Sequence, residues 1–204
     1  ITGGRQRRSA CVSRATVRSA ESHSVDTIFR KRRVILSSII VLAMHGAPPS
    51  DFPRRELGEF FQLPAQMRQA DPQTRAKLAE RHSELDAMLR GWPRSADNDP
   101  YFAGSYELAR HLETATGSRV LIGFFEFCGP SLDEALDRAV DGGSKRVLVV
   151  TPMTTRGGAH SEQDIPAAVR RAELRHPQTT FTYVWPLDPA AVAQFLASQI
   201  AHFV

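Results

Sequence analysis

Cysteine is almost missing from this chain. Its 204 residues hold two, Cys11 and Cys128. Two thiols that far apart make neither a disulfide framework nor a Cys-rich zinc module, so a reducing compartment, the cytoplasm, is expected. Long apolar runs are missing too. The longest, 34–44, contains Ser37 and Ser38 and is about half of what a membrane span needs. No clean apolar stretch precedes a small-residue cleavage site, which argues against a secretory signal. The segment "MHGAPP" that follows the apolar run has neither GxGxxG nor a P-loop pattern. Pro48 and Pro49 there would block a phosphate-cradling helix start, which disfavours nucleotide enzymes. No internal repeat is evident.

An excess of positive charge is confined to one end. The formal net charge is +4, but residues 1–33 carry nine Lys/Arg against two acids, +7, leaving −3 for the rest. The remainder has no basic patch interleaved with aromatics, so nucleic acid is not an expected partner. The leader is rich in Arg and Ser and lacks apolar periodicity. It reads as a transit-like segment, a nucleic-acid arm, or a disordered or non-native start; the last is favoured, and 1–33 is set apart from the fold. The rest, 34–204, is expected to be one α/β domain with a helical insertion at about 50–99. An apolar fraction of 42% and a charged fraction of 24% suit a globular chain that buries its own core.

What is present is an alternation of strands and helices. The β-branched run 34–44 predicts a central strand. Leu57, Phe60, Phe61, Leu63 and Met67 predict a helix in which Pro64 is a candidate break. Leu78, His82, Leu85, Met88 and Leu89 predict a second, ended by Gly91 and Pro93. The stretch "PRSADNDP" reads as loop. A helix follows over 101–116 with Gly117 at its C-cap. Next come a strand over 120–127 and a helix opened by a Ser131/Glu134 capping box. A strand at 146–150, a helix at 165–175, a strand at 181–185 and a last helix with Asp188 as N-cap and Pro189 behind it complete the chain. This pattern predicts an α/β fold: a four-stranded parallel sheet of order 2-1-3-4 with helices on both faces. Ligands in such sheets sit beyond the C-terminal strand ends, where strand order reverses.

Three chemistry-bearing residues follow three strands. His45 comes directly after the first, Glu126 closes the second, and His160 lies in the loop after the third. Each alone has an ordinary explanation: a histidine that hydrogen-bonds a strand end, a glutamate paired to an arginine, and glycines (Gly157, Gly158) that supply turn geometry. In order 2-1-3-4 the three strand ends are neighbours. Two imidazoles and a carboxylate would then converge, a set suited to a borderline divalent metal with open positions. Asp164 is expected to cap the helix that follows His160.

The segments "VLAMHGAPP", "FFEFCGPSLDEAL", "SKRVLVVTPMTTRGGAH" and "SEQDIPAAVRRAELRHP" resemble the class II chelatase superfamily, and within it the short, single-lobe sirohydrochlorin chelatases of the CbiX/SirB type. The resemblance covers about 34–48 and 100–200. It implies a parallel α/β lobe that pairs as a homodimer, with the family's metal-site histidines at His45 and His160 and its strand-end glutamate at Glu126. It also implies a lyase-class chelatase that inserts a divalent metal (cobalt, or iron or nickel) into a sirohydrochlorin-type tetrapyrrole in cobalamin or siroheme biosynthesis, without an organic cofactor. Two features depart from the family: the insertion at 49–99, and "WPLDPAA" where relatives carry a histidine before the last helix. His45, His160 and Glu126 would hold the ion and accept the pyrrole protons. Arg156 and the backbone at Gly157 and Gly158 would receive the substrate's carboxylates. Phe60, Phe61 or Trp92 would lid the macrocycle or pack the insertion onto the lobe, with a groove left beside His45. A non-catalytic metal or tetrapyrrole carrier on the same scaffold is the rival reading.

Overall fold

The central strand β1, Ile39–Met44, is buried along its whole length. Its alternating side chains divide the interior into two layers. Ile39, Val41 and Ala43 pack with Leu132, Leu136, Val147, Val149, Ile165 and Ala172 on one face. Leu42 and Met44 pack with Leu89, Ala109, Ile122 and Phe124 on the other. A strand covered on both faces has to be apolar at every position, which is why this run shows no polar alternation.

The computed structural model describes residues 38–203. The basic leader, and 34–37 of the expected first strand, lie outside the described residues. After β1 come α1 (Arg54–Gln69), α2 (Pro72–Gly91), α3 (Pro100–Thr116), β2 (Val120–Phe124), α4 (Leu132–Asp141), β3 (Arg146–Val150), a π-helical turn (His160–Asp164) that runs into α5 (Ile165–Arg175), β4 (Thr180–Tyr183) and α6 (Pro189–Ile200). The sheet order is β2-β1-β3-β4 and every pairing is parallel, as expected. Several local signals also hold. Ser131 and Glu134 form a reciprocal capping box, Gly117 takes a left-handed C-cap at φ 69°, and the Asp188 side chain accepts from Ala190 N–H.

Four expectations need correction. Pro64 does not break α1, which runs through it. The bond lost at the proline is outweighed by packing, with Leu63 buried beside it. The second strand stops at Phe124 rather than 127, because the chain then bends, with Phe127 at φ 61°. Arg90 and Arg94 collect the carbonyls of Phe125, Phe127 and Cys128 from that bend. The fourth strand ends at Tyr183 rather than 185: Val184 N–H still donates to Val149 C=O at 2.8 Å, but Trp185 N–H turns back to Tyr183 C=O at 3.0 Å and the chain leaves the sheet. The fourth correction, the role of Asp164, belongs to the site.

Helix α4 lies directly on β2. A Cβ placed on Gly123 would come within 2.7 Å of the Leu132 Cα and 3.0 Å of the Ala135 Cβ. Across the outer surface of the same layer, Asp133 binds Arg171 and Arg175, and Asp137 binds Arg175 and His176, which ties α4 to α5. Burial favours the neutral form of Asp133, but hydrogen bonds and charge from Arg171 and Arg175 outweigh it and hold the carboxyl below its ordinary range. Gly123→Val should push α4 off the sheet and lower stability by about 2–3 kcal/mol, read from the midpoint of urea unfolding at unchanged slope.

Candidate metal centre at the strand ends

The three strand ends meet as the topology requires. Phe125 N–H donates to Met44 C=O (3.0 Å) and Glu126 N–H to His45 C=O (2.9 Å), so the second loop tracks the first beyond the end of the sheet. Gly46 makes this approach possible. Its φ is +105°, and a Cβ there would lie 1.9 Å from the Glu126 carbonyl oxygen. The His45 N–H donates to the Tyr101 hydroxyl at 3.1 Å, which pins the first loop to the start of α3.

His45, Glu126 and His160 come together as expected. One ligand atom from each lies within 4.8 Å of the others. His45 Nε2 is 3.8 Å from Glu126 Oε2, and the two imidazoles stand edge to face with centroids 4.8 Å apart. All three side chains are partly exposed. Both rings are oriented through Nδ1. His45 Nδ1–H donates to Gly46 C=O at 2.9 Å, and His160 Nδ1–H donates to Asp164 Oδ2 at 2.7 Å. These bonds leave each Nε2 with a free lone pair, the tautomer that a metal ligand requires. His160 also stacks on Phe125 at 5.2 Å.

His160 is therefore not a free loop residue. It opens the π-helical turn in front of α5, on a backbone held from below by the Tyr183 hydroxyl, which donates to Ser161 C=O at 2.9 Å. Burial, with Glu162 adding to it, pushes the Tyr183 phenol up to about 12, so this donor keeps its proton. Asp164 makes no cap hydrogen bond, contrary to expectation. It sits four residues after His160, on the same helical face, and its carboxylate is spent on the imidazole. That i,i+4 spacing was the readable signal for its orienting role. Arg156 is exposed, and its Nε is 4.0 Å from Glu162; the Gly157 N–H donates to the same carboxylate at 3.0 Å.

Two cavities flank Glu126. One, of about 310 Å³, is lined by Phe125, Glu126, Ser131, His160, Asp164 and Arg171 among others. The second, of about 320 Å³, is walled by Phe60, Phe61, Pro64 and Phe127 with His82 and Glu126 at its edge. The insertion thus packs at the C-terminal edge of the sheet, and its groove is lined by Glu126 and Phe127 rather than by His45. Trp92 takes no part. It packs edge-on against Phe52 and donates to Asp51.

Sequence reasoning missed one feature altogether. Arg94 and Asp99, both within the segment read as loop, form a buried ion pair with side chains 5% and 1% exposed. Arg94 Nη1 also donates to Ala47 C=O (2.7 Å), and Nη2 donates to Leu89 C=O (2.8 Å) and Phe127 C=O (2.5 Å). Cys128 is buried against the pair, and burial pushes its thiol up, away from reactivity at neutral pH. The only advance sign was the Asp99-Pro100 helix-start signature.

The family model described as CbiX matches residues 98–202. The chain belongs to the CbiX family. Among curated proteins, the sirohydrochlorin cobaltochelatase of Methanocaldococcus jannaschii is 37% identical over 57 residues, 28% of this CbiX-family chain and 39% of that protein. The match therefore spans about two fifths of that relative's length. Among solved structures, a CbiX protein from Marinobacter aquaeolei VT8 is 18% identical, with 81% of this chain and 98% of that one covered at a TM-score of 0.45. The sirohydrochlorin chelatase SirB from Bacillus subtilis subspecies spizizenii, in complex with cobalt, is 17% identical over 73% of this chain and 43% of that one, with a TM-score of 0.37. No helix among the described residues is long and apolar enough to cross a membrane.

Gly46→Ala should drive the His45 and Glu126 loops apart. The left-handed backbone and the carbonyl contact together should cost about 1–3 kcal/mol of stability, measured by chemical denaturation.

Proposed function

We propose that this chain inserts a divalent metal ion into a sirohydrochlorin-type tetrapyrrole. The observation that carries the reading is the triad itself: two imidazoles with free Nε2 lone pairs and one carboxylate, within 4.8 Å of one another at the strand ends. Three protein groups leave coordination positions open, so an ion held there can be passed on to a fourth ligand. Insertion exchanges two pyrrole N–H protons for one M²⁺. As the ion moves into the macrocycle, the groups that release it regain their lone pairs. Glu126 and the imidazoles can then take the two protons and lose them to water.

The apolar cavity walled by Phe60, Phe61 and Phe127 suits the face of a macrocycle brought up to Glu126. Arg156, exposed and loosely paired, is the cation on offer to the substrate's carboxylates. Gly157 contributes by folding the loop, since its N–H is already bonded to Glu162, and the Gly158 backbone is the contact offered to the carboxylates. The imidazole and carboxylate set accepts Co²⁺, Fe²⁺ and Ni²⁺ alike. The name of the M. jannaschii relative puts cobalt first among the ions to test, and with it cobalamin rather than siroheme synthesis.

The test is the change in the sirohydrochlorin absorption spectrum on adding Co²⁺ and the full chain. Turnover is expected. Stoichiometric binding of metal or macrocycle without turnover would instead identify a carrier. His160→Ala should abolish insertion at a cost of about 1 kcal/mol or less in stability, and Asp164→Ala should weaken Co²⁺ affinity roughly 10–100-fold by freeing the ring. Retained turnover in His160→Ala would remove the mechanism.

We also propose that two copies pair through α6. The helix buries none of its residues within the chain, and Phe195, Leu196 and Ile200 are exposed at 60%, 54% and 64%. Sedimentation should show a dimer that Phe195→Glu/Leu196→Glu converts to monomer; an unchanged sedimentation coefficient in the double variant would rule this surface out.

A further inference from the structure

We propose that Arg94 is a positioning residue for the metal centre: it sets the separation of His45 and Glu126 by holding both of their loops from inside. The inference rests on the reading of the triad as a metal site, and it assigns to the helical insertion a role in building that site.

The geometry is specific to a guanidinium. Four N–H bonds of Nη1 and Nη2 go to four different partners. Ala47 C=O lies two residues past His45, and Phe127 C=O lies one residue past Glu126. Leu89 C=O belongs to the last turn of α2, and the Asp99 carboxylate opens α3. One buried, planar, rigid group therefore fixes the loop after β1, the loop after β2 and the C-terminal end of the insertion, from the last turn of α2 to the start of α3. Arg90 is the useful contrast. It lies four residues earlier, in the last turn of α2, but its carbonyl partners, Phe125 and Cys128, belong to the Glu126 loop alone.

Exposure sets the direction of the argument. His45 and Glu126 are 43% and 45% exposed, so little packing around the side chains themselves holds them in place. Their placement comes from their backbones, and those backbones answer to Arg94, which is 5% exposed. Arg94 also lies outside the residues 98–202 that the family model matches, so this support comes from the chain's own insertion. A lysine could keep the charge opposite Asp99. Its single ammonium, with three donors radiating from one point, cannot span carbonyls on three segments.

The experiment is a Co²⁺ titration of the full chain, followed by the visible d–d bands of the bound ion, for the unaltered protein, Arg94→Met, Arg94→Lys and Leu85→Ala. Leu85 is a buried residue of α2, and its truncation supplies a loss of stability while leaving every hydrogen bond of Arg94 in place. Arg94→Lys and Arg94→Met are expected to weaken Co²⁺ binding at least tenfold and to alter the band positions, while Leu85→Ala binds as the unaltered protein does. In turnover, Arg94→Lys should raise KM for the metal and leave KM for the macrocycle unchanged. Should Arg94→Met fail to fold, Arg94→Lys decides the matter. Affinity within twofold of the unaltered protein in folded Arg94→Lys, or an equal loss in Leu85→Ala, overturns the proposal and leaves the metal site standing. Failure of the unaltered protein to bind Co²⁺ removes the metal site and this inference together.

Discussion

The buried pair of Arg94 and Asp99 is the constraint on which the upper half of the molecule depends. An ion pair at this depth gives up hydration that its mutual attraction barely restores, and removing one partner typically costs about 3–5 kcal/mol. Arg94 offsets the loss by spending its remaining Nη donors on the loop carbonyls of Ala47 and Phe127 and on Leu89 C=O in the last turn of α2. The Ala47 and Phe127 carbonyls are without strand partners because the chain leaves β1 and β2 in irregular conformations, and buried backbone acceptors must find donors. The pair, the two loops and the C-terminal end of the insertion therefore stand or fall together.

Above this support, the sheet does the rest. Parallel pairing in the order β2-β1-β3-β4 brings the C-terminal ends of three strands side by side. His45 and Glu126 arrive on loops bonded to each other through Glu126 N–H and His45 C=O. His160 comes by another route, on the first turn of a helix, and its ring is held by Asp164 and Phe125. A site assembled from two loops and a helix end can be both exact in ligand geometry and open to a large substrate. None of its three donors is buried in the core.

Much of this was legible in the chain. The apolar runs and their spacing located the sheet and its parallel order, because a doubly covered strand admits no polar residue. Cap signatures at Ser131, Gly117 and Asp188 held because they are local: donor and acceptor lie within four residues of each other. The convergence of His45, Glu126 and His160 followed from strand order alone. Pro64 misled because helix propensity yields to tertiary packing. Asp164 misled because an aspartate near a helix start has two possible partners, the backbone and a side chain four residues back. Only the position of the His160 ring decides between them.

By itself, then, the sequence determined the elements, their order in the sheet and the identity of the three groups at its edge, since each of these depends on short-range pattern or on topological rules. The tertiary structure decided the rest. It showed which nitrogen of each imidazole is free, that Gly46 must lack a side chain to let Glu126 approach, and that an arginine in an apparent loop is buried and holds the site together. The physical reason is that each depends on the final placement of a group in space. The choice of imidazole nitrogen turns on where each ring settles against Gly46 or Asp164, and the other two properties belong to contacts between segments tens of residues apart, such as Arg94 with Phe127 or Gly46 with Glu126; no periodicity within one segment records what another will press against it.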